Sequence, residues 1–198
     1  MDIKIKKGRH SHMWDVDGIH VGQTPNVIDL FKNIIPQFDT IIEIGTHRGG
    51  FTYFFNNIKS KNTELISFEI NIKNIDDRVL NSEIDIVIGD CFDTQYEIMI
   101  KNKISSGGRT LLLCDGGNKN KEFNTFSKYL KPDDVIMLHD YKDSQQSWNY
   151  YCKQNDWNFA PESSYDKISD SINNNNLKKY MYDEFCSVFW GSFIKDNI

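Results

Sequence analysis

The sequence predicts an α/β fold, a doubly wound and mostly parallel sheet with helices on both faces. Three observations predict it. Short, nearly continuous apolar runs recur at Thr40–Ile44, Glu64–Glu69, 85–89, Thr110–Cys114 and Val135–Leu138. Helical stretches lie between most of them, and uninterrupted apolar strands of this kind belong in a parallel sheet covered on both sides. Each run also stops at glycine or a polar residue, where open α/β sheets bind ligands.

Composition bounds the rest. At 198 residues, 39% hydrophobic and 26% charged, with 13 Phe and 9 Tyr, the chain is long enough for one α/β domain and too aromatic for a disordered one. A formal charge of −5 without a long Lys/Arg tract argues against duplex nucleic acid and anionic membrane and leaves a small-molecule partner. Cys91, Cys114, Cys152 and Cys186 show no CxxC spacing, so reduced thiols are expected rather than a zinc knuckle or a disulfide framework. No apolar stretch approaches the roughly 18 residues of a membrane span, and no apolar segment backs the charged start, so a cytoplasmic location is expected.

Residues 1–23 mix charge, His and Gly without clear period and suit a surface arm or lid better than a core element. His10, His12, Trp14 and His20 could fold over an acceptor there. Residues 24–198 are expected to form the single domain. Thr24-Pro25 opens a helix whose Val27, Leu30, Phe31, Ile34 and Ile35 share one face. Strand 40–44 ends at Gly45, and Gly49-Gly50 precede a second helix through Phe55, so the segment reads strand, glycine turn, helix. Beyond Tyr141, the aromatics Trp148, Tyr150, Tyr151 and Trp157 supply either an acceptor wall or ordinary packing. Residues 173–176 are four asparagines, expected as a loop outside the core, and 186–190 with 192–194 read as late strand material.

The strand ends carry Glu43 with Gly45-Thr46, Glu69, Asp90, Asp115 and His139-Asp140. Any one of these acids can be a helix or turn cap; five in register point to a site. Gly45 allows a tight exit from its strand, and Gly49 and Gly50 let backbone approach a ligand at a helix N-terminus. A dinucleotide fingerprint would need glycine at 47, which is His, and no Gly-Lys-Ser/Thr completes a phosphate loop. A carboxylate at Glu69 can accept both hydroxyls of a ribose, and Asp90 can receive an adenine amino group.

On Gly18-Ile19-His20-Val21-Gly22-Gln23-Thr24-Pro25, Ile42-Glu43-Ile44-Gly45-Thr46-His47-Arg48-Gly49-Gly50, Leu113-Cys114-Asp115-Gly116-Gly117-Asn118 and Leu138-His139-Asp140, the chain resembles the class I S-adenosylmethionine-dependent methyltransferases. Within them it is similar to the cephalosporin-hydroxylase-like group that includes macrocin-type sugar O-methyltransferases. The resemblance runs from about Trp14 to Tyr141 and implies a Rossmann-like, seven-stranded sheet. It places Gly45, Thr46 and Gly49, with Glu43 beside them, at the methionine end of the cofactor. Glu69 falls at the ribose, Asp90 and Cys91 at the adenine, and Asp115 beside the sulfonium. In magnesium-dependent members an Asp after the fourth strand and an acidic pair after the fifth hold the ion, which maps onto Asp115, His139 and Asp140. Imidazole in place of a carboxylate weakens a Mg²⁺ site or favours Mn²⁺ or Fe²⁺. Where the family has a His three residues past its first metal Asp, this chain has Asn118, followed by Lys119.

Methyl transfer is an in-line displacement, so alignment and removal of the acceptor's proton are the protein's tasks. Asp115 and Asp140, with or without a divalent ion, are expected to hold the acceptor hydroxyl, and His139 or Lys119 to take its proton. A sugar hydroxyl is the first expectation for the acceptor. Assembly through the N-terminal part, as in the family, would make a homo-oligomer. The competing readings are a noncatalytic binding or assembly module on the same fold, and a nucleotide-sugar or dinucleotide enzyme on the same sheet.

Overall fold

The computed structural model describes residues 1–6, 13–155 and 162–197. Expectations placed on His10, His12 and Trp157 fall outside the described residues. Strands β1 (Ile3–Ile5), β2 (Trp14–Val16) and β3 (Ile19–Val21) form a small antiparallel sheet in the order β1-β2-β3. The β2–β3 turn is Asp17-Gly18, both at positive φ (48° and 80°), the backbone a two-residue hairpin turn requires. Trp14, Val16, Ile19 and Val21 are buried. The Trp14 ring meets Phe54 edge-on at 5.1 Å. The segment expected as a surface arm therefore contributes to the core. Its alternation is only three residues long on each strand, with Asp15 and His20 in the outward positions, so no period stands out in the sequence.

Helix α1 (Val27–Ile34) follows the Thr24-Pro25 turn and buries Val27, Phe31 and Ile34 as expected. The chain then runs β4 (Thr40–Ile44), α2 (Gly50–Ile58), β5 (Glu64–Glu69), α3 (Asp77–Leu80), β6 (Asp85–Ile88), α4 (Thr94–Ser106), β7 (Thr110–Cys114), α5 (Lys119–Phe126) and β8 (Val135–Leu138). A two-stranded pair, β9 (Tyr141–Lys142) and β10 (Ser163–Ser164), brackets α6 (Gln145–Asn155). Last come α7 (Ser169–Asn174), β11 (Leu177–Lys179), α8 (Tyr182–Ser187) and β12 (Gly191–Lys195).

The central sheet has seven strands in the order β11-β12-β8-β7-β4-β5-β6. Strands β8, β7, β4, β5 and β6 are parallel, and β12 runs antiparallel between β8 and β11. Successive residues go to opposite faces. Ile41, Leu111, Leu113, Val135 and Met137 pack with α1, α2, α8 and the hairpin. Ile42, Ile66, Phe68, Leu112, Ile136 and Leu138 pack with α4, α5 and α7. Each fully buried Leu, Ile or Phe contributes about 1.5–3 kcal/mol, so both layers are strongly held.

Two tail expectations change. Residues 186–190 do not form a strand: Cys186 and Ser187 close α8, and β12 starts at Gly191, taking in Ser192 to Ile194 as expected. Of the asparagines, Asn173 and Asn174 end α7 and only Asn175 and Asn176 turn the chain, Asn176 at φ +49°. Asparagine tolerates that left-handed turn better than most residues, which is why the run looks like a loop from sequence.

Candidate functional site

The order of the sheet reverses around β4, which sends β5 and β6 to one side and β7 and β8 to the other, and the crevice lies over this switch. Gly45 leaves β4 at φ +100°, and a Cβ there would stand 2.3 Å from the Asp115 carbonyl oxygen. Only glycine lets the β4–α2 and β7–α5 loops meet so closely. Gly49, at φ +80°, caps α2 against the Val79 methyls and does not line the cleft. Its close neighbour is Val79, which makes packing its observed role.

Past β5, the Glu69 carboxylate accepts the His47 N–H at 2.7 Å on Oε2 and the Asn71 N–H at 3.1 Å on Oε1. Past β6, Asp90 accepts the Phe92 N–H at 2.9 Å on Oδ1. Both acids are thus turn caps, yet both also line one cleft of about 360 Å³ with Gly45, Cys91, Asp115 and Glu122. Burial, reinforced by Glu122 and Asp90, pushes the Cys91 thiol up to about 12, so it faces the cleft uncharged. Glu43 points away from this cleft. It is buried on the α2 face, where it accepts from the Thr52 hydroxyl and, at 2.5 Å, from Ser67. Its expected place beside the cofactor is corrected, because strand alternation aims it into the core.

Gly45 and Asp115 also border a second compartment of about 280 Å³ with Gln23, Thr46, His139 and Asp140. Thr46 is buried and shares a 2.6 Å hydrogen bond with Ser67. Around Asp115 runs a fixed network. Trp190 Nε1 donates to Gln23 Oε1 at 3.1 Å, and Gln23 Nε2 donates to Asp115 Oδ2 at 2.7 Å. His139 Nδ1 lies 2.9 Å from Asp115 Oδ1 and 3.6 Å from Asp140 Oδ2, and the Trp190 ring covers the imidazole at 4.9 Å. A carboxylate only accepts, so Nδ1 carries a proton and, in the neutral ring, Nε2 holds the lone pair. Burial lowers the imidazole's proton affinity, but Asp115 and Asp140 outweigh it and the net direction is upward.

Lys119, at the start of α5, is buried and ion-paired with Asp140 at 3.2 Å and with Glu162. Burial disfavours its charge, yet Asp115, Asp140 and Glu162 outweigh that and raise its pKa. An ammonium paired with two carboxylates, in the field of a third, is no proton acceptor at neutral pH, which argues against Lys119 as the base.

The expected metal ligands Asp115, His139 and Asp140 fit an ion poorly, because the Lys119 ammonium already sits on Asp140 and a second cation would have to bind beside it. Among the described residues no group of three His, Cys, Asp or Glu is disposed to hold one. Gln23, Trp190, Glu122 and Glu162 escaped the sequence reading. Gln23 stood inside the Gln23-Thr24-Pro25 motif without a role; Trp190 and Glu162 lie far along the chain with no local signal.

No family model and no curated protein matches the chain. Solved structures do. The "CmcI-N160 apo-structure" superposes with a TM-score of 0.63 at 13% identity, covering 93% of this chain and 76% of that one. The structure described as "cmcI-D160 Mg-SAM" gives 0.58 at 14%, covering 91% and 75%. An O-methyltransferase from Bacillus cereus in complex with SAH gives 0.53 at 13%, covering 87% and 82%. The chain has the class I methyltransferase fold. In that fold the cleft over β4, β5 and β6 is the crevice at the topological switch point, and the Asp115–His139 compartment adjoins it.

Proposed function

We propose that this chain is an S-adenosylmethionine-dependent methyltransferase acting on a hydroxyl group of a small acceptor, with a sugar as the first candidate. The observation that carries the proposal is that Glu69 and Asp90 line one cleft beside the Gly45 turn, with Asp115 bordering both that cleft and the His139 compartment. Glu69 keeps lone pairs on both oxygens for ribose hydroxyls, and Asp90 keeps Oδ2 for an adenine amino group. The solved relatives that share the fold include one described with SAM and one with SAH.

When bound, S-adenosylmethionine supplies an electrophilic methyl group. The chain's own residues align the acceptor and take its proton. His139 Nε2 is the acceptor of that proton, while Asp115 orients the ring through Nδ1 and stabilises the imidazolium that forms. Gln23 and Trp190 fix this pair from two sides. Lys119 neutralises Asp140 and so holds the β8 loop without a divalent ion.

Calorimetry with S-adenosylhomocysteine tests the reading. Wild type is expected to bind, and Glu69→Ala to weaken binding by about tenfold, the loss of one or two hydrogen bonds to a charged group. Binding of NAD in place of S-adenosylhomocysteine would establish a dinucleotide enzyme instead. Binding without methyl transfer to any hydroxyl acceptor would point to a noncatalytic module.

A further inference from the structure

The His139 compartment does not end at the hairpin. His20, His47 and Arg48 line it and also line a third cavity of about 540 Å³, so the two adjoin. This outer cavity lies between the β2–β3 hairpin and the loop after β5, and is bounded by Lys6, Asp15, Arg48, Lys73 and Asp76. Its acids are already neutralised. The Arg78 fork grips Asp76 with Nε and Nη2, each at 2.8 Å. Asp15 pairs with Lys6 at 3.2 Å and faces His20 at 3.4 Å. Lys6 Nζ also lies 3.1 Å from His20 Nδ1.

Arg48 and Lys73 remain. Among the described residues their side chains make no hydrogen bond or ion pair. Two unpaired cations and the His20 ring therefore border one cavity of a chain whose net charge is −5. Both side chains are exposed at the rim of this cavity, and an anion bound there would meet two cations that have no other partner. A guanidinium beside an ammonium suits a phosphate, which takes a bidentate fork and a point charge together.

We propose that the outer cavity is an anion subsite for the methyl acceptor, which carries a phosphate or diphosphate ester held by Arg48 and Lys73 while its hydroxyl reaches His139. This rests on the methyl-transfer reading above for the hydroxyl's destination; the anion subsite itself can be tested without it. Such an acceptor is the product of a phosphoryl- or nucleotidyl-transfer reaction, so methylation would follow activation of the sugar.

The experiment is titration with inorganic pyrophosphate, followed by calorimetry, with S-adenosylhomocysteine present and absent. Wild type is expected to bind pyrophosphate with an affinity that falls as salt rises. The double substitution Arg48→Gln with Lys73→Gln is expected to lose about tenfold or more of it, since each cation supplies at least one charge-assisted hydrogen bond. Lys73→Gln alone is expected to weaken pyrophosphate and leave S-adenosylhomocysteine affinity within about twofold, which reports an intact fold. Malonate is expected to bind more weakly than pyrophosphate. Undetectable pyrophosphate binding, binding indifferent to both substitutions, or malonate binding as tightly would overturn the proposal. Failure of wild type to bind S-adenosylhomocysteine would overturn the cofactor reading instead, and the pyrophosphate titration run without it would still decide the anion subsite.

Discussion

At position 139 a histidine sits where the resemblance leads one to look for an acid, and its neighbours decide what it does. Asp115 accepts the Nδ1–H hydrogen bond, Trp190 covers the ring, and Asp140 is occupied by Lys119. Two residues that look interchangeable as proton acceptors in the sequence are thereby separated: the imidazole keeps a free nitrogen, while the lysine is locked as a cation. His139→Ala is expected to lower turnover by roughly 10²–10⁴-fold with S-adenosylhomocysteine affinity retained, the usual span for a positioned base. Steady-state kinetics beside calorimetry reads it, and unchanged turnover would remove His139 from the chemistry. Glu69 and Asp90 were legible because they end apolar strands. The role of Gln23 was not, since its partners Asp115 and Trp190 lie 92 and 167 residues away.

Among the elements, the hairpin shows most clearly where local reading runs short. Each of β2 and β3 offers three residues, enough to bury two side chains but too few to display a period. The Asp17-Gly18 pair was the available signal, and it acquires meaning only between two strands. Gly50 records how close the docking is, since a Cβ there would stand 2.2 Å from the His20 carbonyl oxygen. Because Trp14 is fully buried against Phe54, Trp14→Ala is expected to cost about 3–5 kcal/mol of stability. Urea unfolding checks this; a loss below about 1 kcal/mol would mean that the hairpin rests on the surface after all. The strand expected at 186–190 failed for a related reason. Its Phe189-Trp190 pair is apolar because Trp190 covers His139, and a buried aromatic at a helix exit cannot be told by composition from one in a strand.

Across the whole molecule, stability is tied to pH through carboxyls that the fold has buried. Burial pushes Glu43 up to about 7, against the Ser67 and Thr52 hydroxyls, and pushes Glu122 up to about 7 against two backbone N–H donors. Both pKa values are raised above the unfolded value of about 4.5, so the folded state holds more protons in that window. Their stabilising contribution is complete below about pH 4.5 and is lost as pH climbs to about 7. Glu43→Gln cannot ionise. Its stability relative to wild type is expected to improve between pH 4.5 and 7.5 by on the order of 3 kcal/mol, one carboxyl's share. Denaturant midpoints at the two pH values measure it, and parallel curves for the two proteins would show that Glu43 does not titrate there.

The sequence by itself determined the layered α/β class, the positions of five parallel strands and the acids at their ends, because apolar runs, glycine turns and caps act over a few neighbouring residues. Only the tertiary structure decided which of those acids face a cleft, which one is turned into the core, and which of Lys119 and His139 is tied down as a cation. Those properties depend on the face a strand presents and on fields from residues that the chain brings together across scores of positions.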